Sequence, residues 1–347
     1  MQKAVLLFFL ITALSWAQTP KSVVYHPVNE SFVRLDTLAY TDLPLGVKRN
    51  GQHSAGLYVD FKTNAKQIKA KWCVKPSGVF SYLSEVNRRG LDLYADVNGT
   101  YQYVRSGFPS ANSSCSETTI IDQMAGESTT YRLYFPLYSE LEQLEIGVEE
   151  GATFERITTV VDRRILVYGS SITQGASASR PGMAYPAQLE RKYGYAFLNY
   201  GFGGSAKMEA AVARLLADIP SVDLLLMDCV PNSSVDEIKQ RTATFVKLYR
   251  EKNPTVPIVM IPSIVREVGY FNTVIGARVT AQNKQFKAEY EALVQAGVKN
   301  IHYLDVTNLL GTDHEGTSDG VHPTDLGFAR WLDVVEPHLE DLFNRYF

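Results

Sequence analysis

Four short stretches of the chain hold residue types that can do chemistry together. Gly169-Ser170-Ser171-Ile172-Thr173-Gln174-Gly175 places serine hydroxyls in a glycine-flanked turn. Where such a turn joins a strand to a helix, a serine stands at the strand's carboxyl end. The backbone N–H groups that follow can then face a developing anion. Asn199-Tyr200-Gly201-Phe202-Gly203-Gly204-Ser205 is a turn in which glycine lets backbone approach a ligand closely. Asp228-Cys229-Val230-Pro231-Asn232 ends in an amide that can donate to an oxyanion or cap a helix starting near Ser234. Ser318-Asp319-Gly320-Val321-His322-Pro323 spaces a carboxylate and an imidazole so that Asp319 can orient His322 as a base. Taken singly, each stretch also reads as a plain turn or cap. His26, His53, His302, His314 and His338 have no such partners and read as ordinary core or surface histidines.

The elements that must position these residues change character midway. Leu57–Lys62, Gln67–Trp72, Tyr131–Phe135 and Leu144–Val148 alternate apolar and polar residues, the pattern of antiparallel strands with one face buried. Asn98-Gly99 between Leu91–Val97 and Tyr101–Val104 signals a tight hairpin. Little helical periodicity interrupts this part, so residues 18–157 are expected to form an antiparallel β-sandwich. Beyond it, short apolar strands at Arg164–Tyr168, Ala196–Tyr200, Asp223–Met227, Ile258–Ile261 and Ile301–Leu304 alternate with helical stretches. The helices are expected near Ala184–Tyr193, Lys207–Asp218, Val235–Glu251, Ala277–Ala296 and Leu326–Arg345. That grammar predicts a three-layer α/β/α domain with a parallel sheet over 158–347. In such sheets ligands bind beyond the carboxyl ends of the strands, where the four stretches fall.

Composition narrows the class. With 347 residues, a net charge of −3, 45% hydrophobic and 20% charged residues, the chain is an ordinary globular protein rather than a nucleic-acid binder. Met1-Gln2-Lys3, an apolar run from Ala4 to Leu14 and Ser15-Trp16-Ala17 read as a signal peptide over 1–17, cleaved after Ala17. The run is shorter than the roughly 20 residues that span a bilayer, so the mature protein is expected to be exported, periplasmic or secreted, with no transmembrane anchor. Of three cysteines, Cys73 and Cys115 could bridge in an oxidising compartment, while Cys229 ends an apolar run and reads as buried and inert. No Cys/His cluster or metal-binding spacing occurs, so neither metal nor organic cofactor is expected.

The four stretches, in their order along Arg164–Phe343, resemble the blocks of the SGNH (GDSL-like) hydrolase superfamily. The resemblance implies Ser171 as nucleophile, His322 as base and Asp319 as its orienting acid. It implies an oxyanion hole formed by the Ser171 N–H, the Gly204 N–H and the Asn232 side chain. Two departures stand out: Gly169-Ser170-Ser171 lacks the usual acid before the nucleophile, and Asp228-Cys229-Val230-Pro231-Asn232-Ser233 replaces the usual third block. The second departure is similar to a bacterial subgroup marked Asp-Cys-x-Pro-Asn. That subgroup carries an N-terminal β-domain marked Gly-x-Asp-Leu-Tyr, which Gly90-Leu91-Asp92-Leu93-Tyr94 matches.

On this reading Ser171 attacks an acyl carbonyl while His322 takes its proton and later returns one to the leaving alkoxide. The expected substrate is a small acyl ester, most of all an acetyl ester on carbohydrate. A lipase, lysophospholipase or thioesterase of the same superfamily and a catalytically silent carbohydrate-binding protein are the alternatives. Gly90, Asp92 and Tyr94 are expected to help wall the substrate cleft.

Overall fold

A computed structural model describes residues 22–347, so the signal-peptide reading of 1–17 lies outside the described residues. The first half contains β1 (Val23–Pro27), α1 (Leu45–Gly51), β2 (Tyr58–Thr63), β3 (Ile68–Val74), α2 (Glu85–Arg89), β4 (Leu91–Val97), β5 (Thr100–Gly107), β6 (Cys115–Ile121), β7 (Thr129–Tyr134), β8 (Leu141–Glu149) and β9 (Phe154–Ile157). Its strands form two antiparallel sheets, ordered β1-β8-β3-β6 and β5-β4-β7-β2-β9. Phe61, Leu93 and Leu133 of one sheet and Trp72, Ala70 and Ile146 of the other close a shared apolar core. Strict alternation of burial along β3 shows the two-residue period at work.

The β4–β5 hairpin turns at Asn98 and Gly99, whose φ angles of 55° and 82° are those a type I′ turn demands. Cys73 and Cys115 face each other across β3 and β6 and form a disulfide, while Cys229 is free and buried. The short helices α1 and α2 depart from the all-strand expectation. With seven and five residues, they are too short to print a helical period on the sequence.

The second half runs β10 (Arg164–Gly169), α3 (Ser171–Gln174), α4 (Tyr185–Tyr193), β11 (Ala196–Gly201), α5 (Ala210–Ala217), β12 (Leu224–Asp228), α6 (Val235–Lys252), β13 (Ile258–Met260), α7 (Thr273–Gln295), β14 (Ile301–Tyr303) and α8 (Asp325–Tyr346). Its five-stranded sheet is wholly parallel, ordered β11-β10-β12-β13-β14. Every residue of β12 is buried, because helices cover both faces: α5, α6 and α7 on one, α4 and α8 on the other. Helix α7 starts at Thr273, one turn earlier than its periodicity suggests, because the Asn272 side chain accepts the Ile275 N–H at 3.1 Å and caps it there.

The two halves are joined by buried polar contacts. Arg34 donates to the carbonyls of Asn199 and Gly201, both at 2.8 Å, to that of His53 at 2.9 Å, and to that of Asn50. Asn87 donates to the carbonyls of Gly175 and Ala178, both at 2.8 Å. Arg132 of β7 forks onto Asp60 of β2 at 2.8 Å and reaches Glu190 of α4 at 3.0 Å, with its guanidinium 3.7 Å above the Tyr58 ring. Removing one member of such a buried ionic group leaves charges unpaired, at a cost of about 3–5 kcal/mol. Exposed pairs such as Arg214–Asp42 contribute no more than about 1 kcal/mol. Urea denaturation should therefore show Arg132→Met destabilised by several times as much as Arg214→Met; equal midpoints for the two variants would contradict the joint described here.

Candidate active site

Strand β10 runs straight into the nucleophile turn, and the close fit of α3 against the ends of β10 and β11 explains the glycine at each end. A Cβ on Gly169 would lie 1.8 Å from Thr173 Oγ1, and one on Gly201 would lie 2.2 Å from the Gln174 backbone nitrogen. Ser170 is buried and turned inward, its hydroxyl accepting the Ile172 N–H at 3.2 Å as the N-cap of α3. Ser171, one residue on, is half-buried and lines a cavity of about 650 Å³ beyond the ends of the parallel strands.

The structure brings Ser171, His322 and Asp319 together. Ser171 Oγ lies 2.9 Å from His322 Nε2, and His322 Nδ1 lies 2.8 Å from Asp319 Oδ2. With the Nδ1–H donated to the carboxylate, Nε2 is left as the acceptor for the serine proton. The other carboxylate oxygen, Oδ1, accepts the backbone N–H groups of His322 at 2.7 Å and Val321 at 3.0 Å. Partial burial works against the Asp319 charge, but these donors outweigh it and hold the carboxyl below its ordinary range. The Tyr82 ring stacks on the imidazole, centroids 4.5 Å apart, and covers one face of it.

Gly204 and Asn232 line the same cavity. Gly204 has a φ of 67°, and neither its N–H nor that of Ser171 meets an acceptor among the described residues. Asn232 does not cap the helix that follows. Ser234 caps α6 itself, in a capping box with Glu237, and the Asn232 amide donates to the Ser205 carbonyl, which leaves it one further hydrogen.

Residues that sequence reasoning missed set the shape of this turn. Gln174 accepts the Gly203 N–H at 2.9 Å and directs its amide to the Leu137 carbonyl at 2.9 Å and to His53 Nδ1 at 3.0 Å. Burial, reinforced by Arg34 and Arg49, lowers the His53 pKa to about 3 and keeps the ring neutral. Tyr138 donates to the Ser171 carbonyl at 3.1 Å. Under α3, Thr173 Oγ1 and the Tyr185 hydroxyl donate to Asp228 Oδ2 at 2.8 and 3.1 Å. Gln174 sits in the serine turn and could have been marked as a candidate. His53, Tyr82 and Tyr138 stand in stretches with no motif to flag them.

Gly90, Asp92 and Tyr94 do not wall the cavity. Strand β4 lies inside its sheet, between β5 and β7, and the buried carboxylate of Asp92 needs partners there. It accepts Arg180 Nη1 at 2.7 Å, the Gly182 N–H at 2.9 Å and Ser106 Oγ at 3.2 Å. The Tyr94 hydroxyl also accepts from Arg180, and Arg191 lies 4.1 Å over its ring. Gly90 ends α2 at a point where a Cβ would lie 2.8 Å from the Val86 backbone. Asp92 and Tyr94 fasten the sandwich to the 180–191 stretch. The cavity's second wall comes instead from α1 and the residues after it, the 75–82 segment, Tyr138 and Glu140.

A serine–imidazole–carboxylate chain at the carboxyl end of a parallel α/β sheet, with two unspent N–H groups beside it, has the geometry of a serine ester hydrolase. Residues 162–340 match the model of the GDSL-like lipase/acylhydrolase family, and residues 16–154 match the Gly-x-Asp-Leu-Tyr N-terminal domain of SGNH-hydrolase-type esterases. The chain belongs to this family and is an ester hydrolase of the GDSL-like type. The crystal structure of a GDSL-like lipase from Bacteroides ovatus is 42% identical with a TM-score of 0.90, over 93% of this chain and 98% of that one. A salicylyl-acyltransferase from a tetracycline biosynthetic pathway (19% identity, TM-score 0.70, 92% and 94% covered) shares the fold. So does a family two carbohydrate esterase from Cellvibrio japonicus (11% identity, TM-score 0.60, 94% and 99% covered). A comparison with proteins of curated function returns no match.

Two outcomes test the site. Ser171→Ala and His322→Ala should each lower kcat on a p-nitrophenyl ester more than about a thousandfold. Ser170→Ala, which removes only a cap worth about 1 kcal/mol, should keep most turnover. Essentiality of Ser170 instead would shift the nucleophile by one residue. The second concerns Asp228, whose carboxyl burial pushes up to about 7, with Thr173 and Tyr185 pulling the other way. Because the unfolded carboxyl titrates near about 3.9, the native state holds the extra proton between the two values, and Asp228 lowers stability as pH rises from about 4 to 7. Denaturation across that range should show a shallower loss with pH for Asp228→Asn than for the parent; parallel curves would mean that Asp228 is charged throughout.

Proposed function

We propose that the protein is an exported serine esterase that removes short acyl groups, above all acetyl, from carbohydrate. The observation that carries the reading is the hydrogen-bonded chain from Ser171 through His322 to Asp319, opening on a cavity. Ser171 adds to the acyl carbonyl as its proton passes to His322 Nε2. The Ser171 and Gly204 N–H groups and the free Asn232 amide hydrogen receive the oxyanion. His322 then protonates the leaving alkoxide, and water repeats the sequence to release the acid.

Export is inferred from the pattern of residues 1–17 and is supported by the Cys73–Cys115 disulfide, a bond that persists in oxidising compartments. Among the described residues no helix is long and apolar enough to cross a membrane. The carbohydrate reading is supported by a cavity that mixes ring faces, from Phe80, Tyr82 and Tyr138, with hydrogen-bonding side chains from Asn50, Gln52 and Ser77. The cavity residues need no cofactor for this chemistry.

One observation favours a lipid ester instead. Val265 and Phe271 of the segment that leads into α7 and Val274 of its first turn are exposed, and Val268 of that segment donates to the Gly320 carbonyl in the Asp319–His322 loop. A series of p-nitrophenyl esters separates the two. Each buried CH₂ offers about 0.8 kcal/mol, so a lipid pocket should gain in kcat/KM with chain length. The expected result is a fall from acetate to octanoate, together with acetate release from acetylated oligosaccharides. Faster cleavage of octanoate than of acetate would replace the deacetylase reading with the lipase one.

A further inference from the structure

The charges lining the cavity are unbalanced. Arg49, Lys75 and Arg266 face a single carboxylate, Glu140, and that carboxylate is already spent on Lys75 at 2.5 Å. Arg49 and Arg266 make no ion pair among the described residues, although the chain as a whole carries a net charge of −3. Arg266 is half-buried, and among the described residues the one hydrogen bond of its guanidinium goes from Nη2 to the Pro231 carbonyl at 2.8 Å, one residue from Asn232. Burial and the nearby Arg278 lower its pKa, yet the group stays charged at neutral pH. Arg49, which is exposed at the cavity mouth, lies near enough to His53 to depress that ring, on the wall contributed by α1. His53 is neutral and adds no charge, and both oxygens of the Asp319 carboxylate are turned to His322 and the Val321 backbone rather than into the cavity.

An unpaired, partly desolvated guanidinium beside a reacting centre is a ready receptor for a planar or tetrahedral anion. We propose that the alcohol part of the substrate carries an anionic group, a carboxylate or a sulfate, which Arg266 and Arg49 hold in the cavity. This rests on the esterase reading above and names the class of saccharide within it: an acylated acidic sugar rather than a neutral one.

The test uses three acetylated methyl glycosides of one shape: the glucuronoside with its free carboxylate, the neutral glucuronamide and the glucoside 6-sulfate. Acetate release gives kcat/KM for each. A charge-assisted contact of this kind should favour an anionic compound over the amide by about ten- to a hundredfold, with the preference shrinking as salt rises. Whichever anion leads identifies the source of the charge. In the Arg49→Gln/Arg266→Gln variant the ratio should fall to about one. Because both rates are read on the same variant, a fold defect lowers them together and leaves the ratio untouched.

The same compounds titrated into Ser171→Ala by calorimetry carry the comparison without turnover. Lack of hydrolysis by the parent would thus overturn the carbohydrate-deacetylase reading while the anion preference is still decided by binding. Equal affinity and turnover for amide and anions, or a preference that survives in the double variant, would overturn the proposal.

Discussion

Arg34 is the constraint on which the rest of the site depends. Its buried guanidinium has no carboxylate partner among the described residues and donates to backbone carbonyls alone. Burial brings its pKa down to about 10, and only a complete set of acceptors makes a buried cation tolerable. Those acceptors come from both halves of the chain: the end of β11 on one side, the end of α1 and His53 on the other. One side chain thus sets the cavity wall against the turn that presents Gly203 and Gly204. Gln174 continues the link, holding the Gly203 N–H with its oxygen while its nitrogen reaches Leu137 and His53.

Much of this was legible in the sequence because the parallel sheet leaves a simple mark. Five short apolar strands, three of them ending in Gly169, Gly201 and Asp228, announce both the sheet and the edge at which chemistry collects. The local pair Asp319 and His322 could be read because three residues of a tight loop suffice to join them. The wall from the first half was not legible. It is built from α1, a seven-residue helix, and from loop positions such as Tyr82 and Tyr138, and their roles arise from docking rather than from any local period.

The Gly90–Tyr94 stretch shows the opposite limit. A motif can be recognised without revealing which way its side chains face. In β4 they face a cation of the other half, so Asp92 and Tyr94 serve the joint rather than the cavity. The cysteines fall between these cases: an odd count left the pairing open, and the antiparallel register of β3 and β6 set Cys73 opposite Cys115.

Tyr82 belongs to the sandwich half, yet it lies flat against the imidazole of the other. The base therefore has one of its faces shielded from solvent only when the halves are docked, and it turns about its own axis only by displacing that wall. Shielding of the base is thus a property of the assembled chain, although its three reactive groups all lie in the second half. Until the halves dock, the imidazole lacks the cover that the Tyr82 ring gives it.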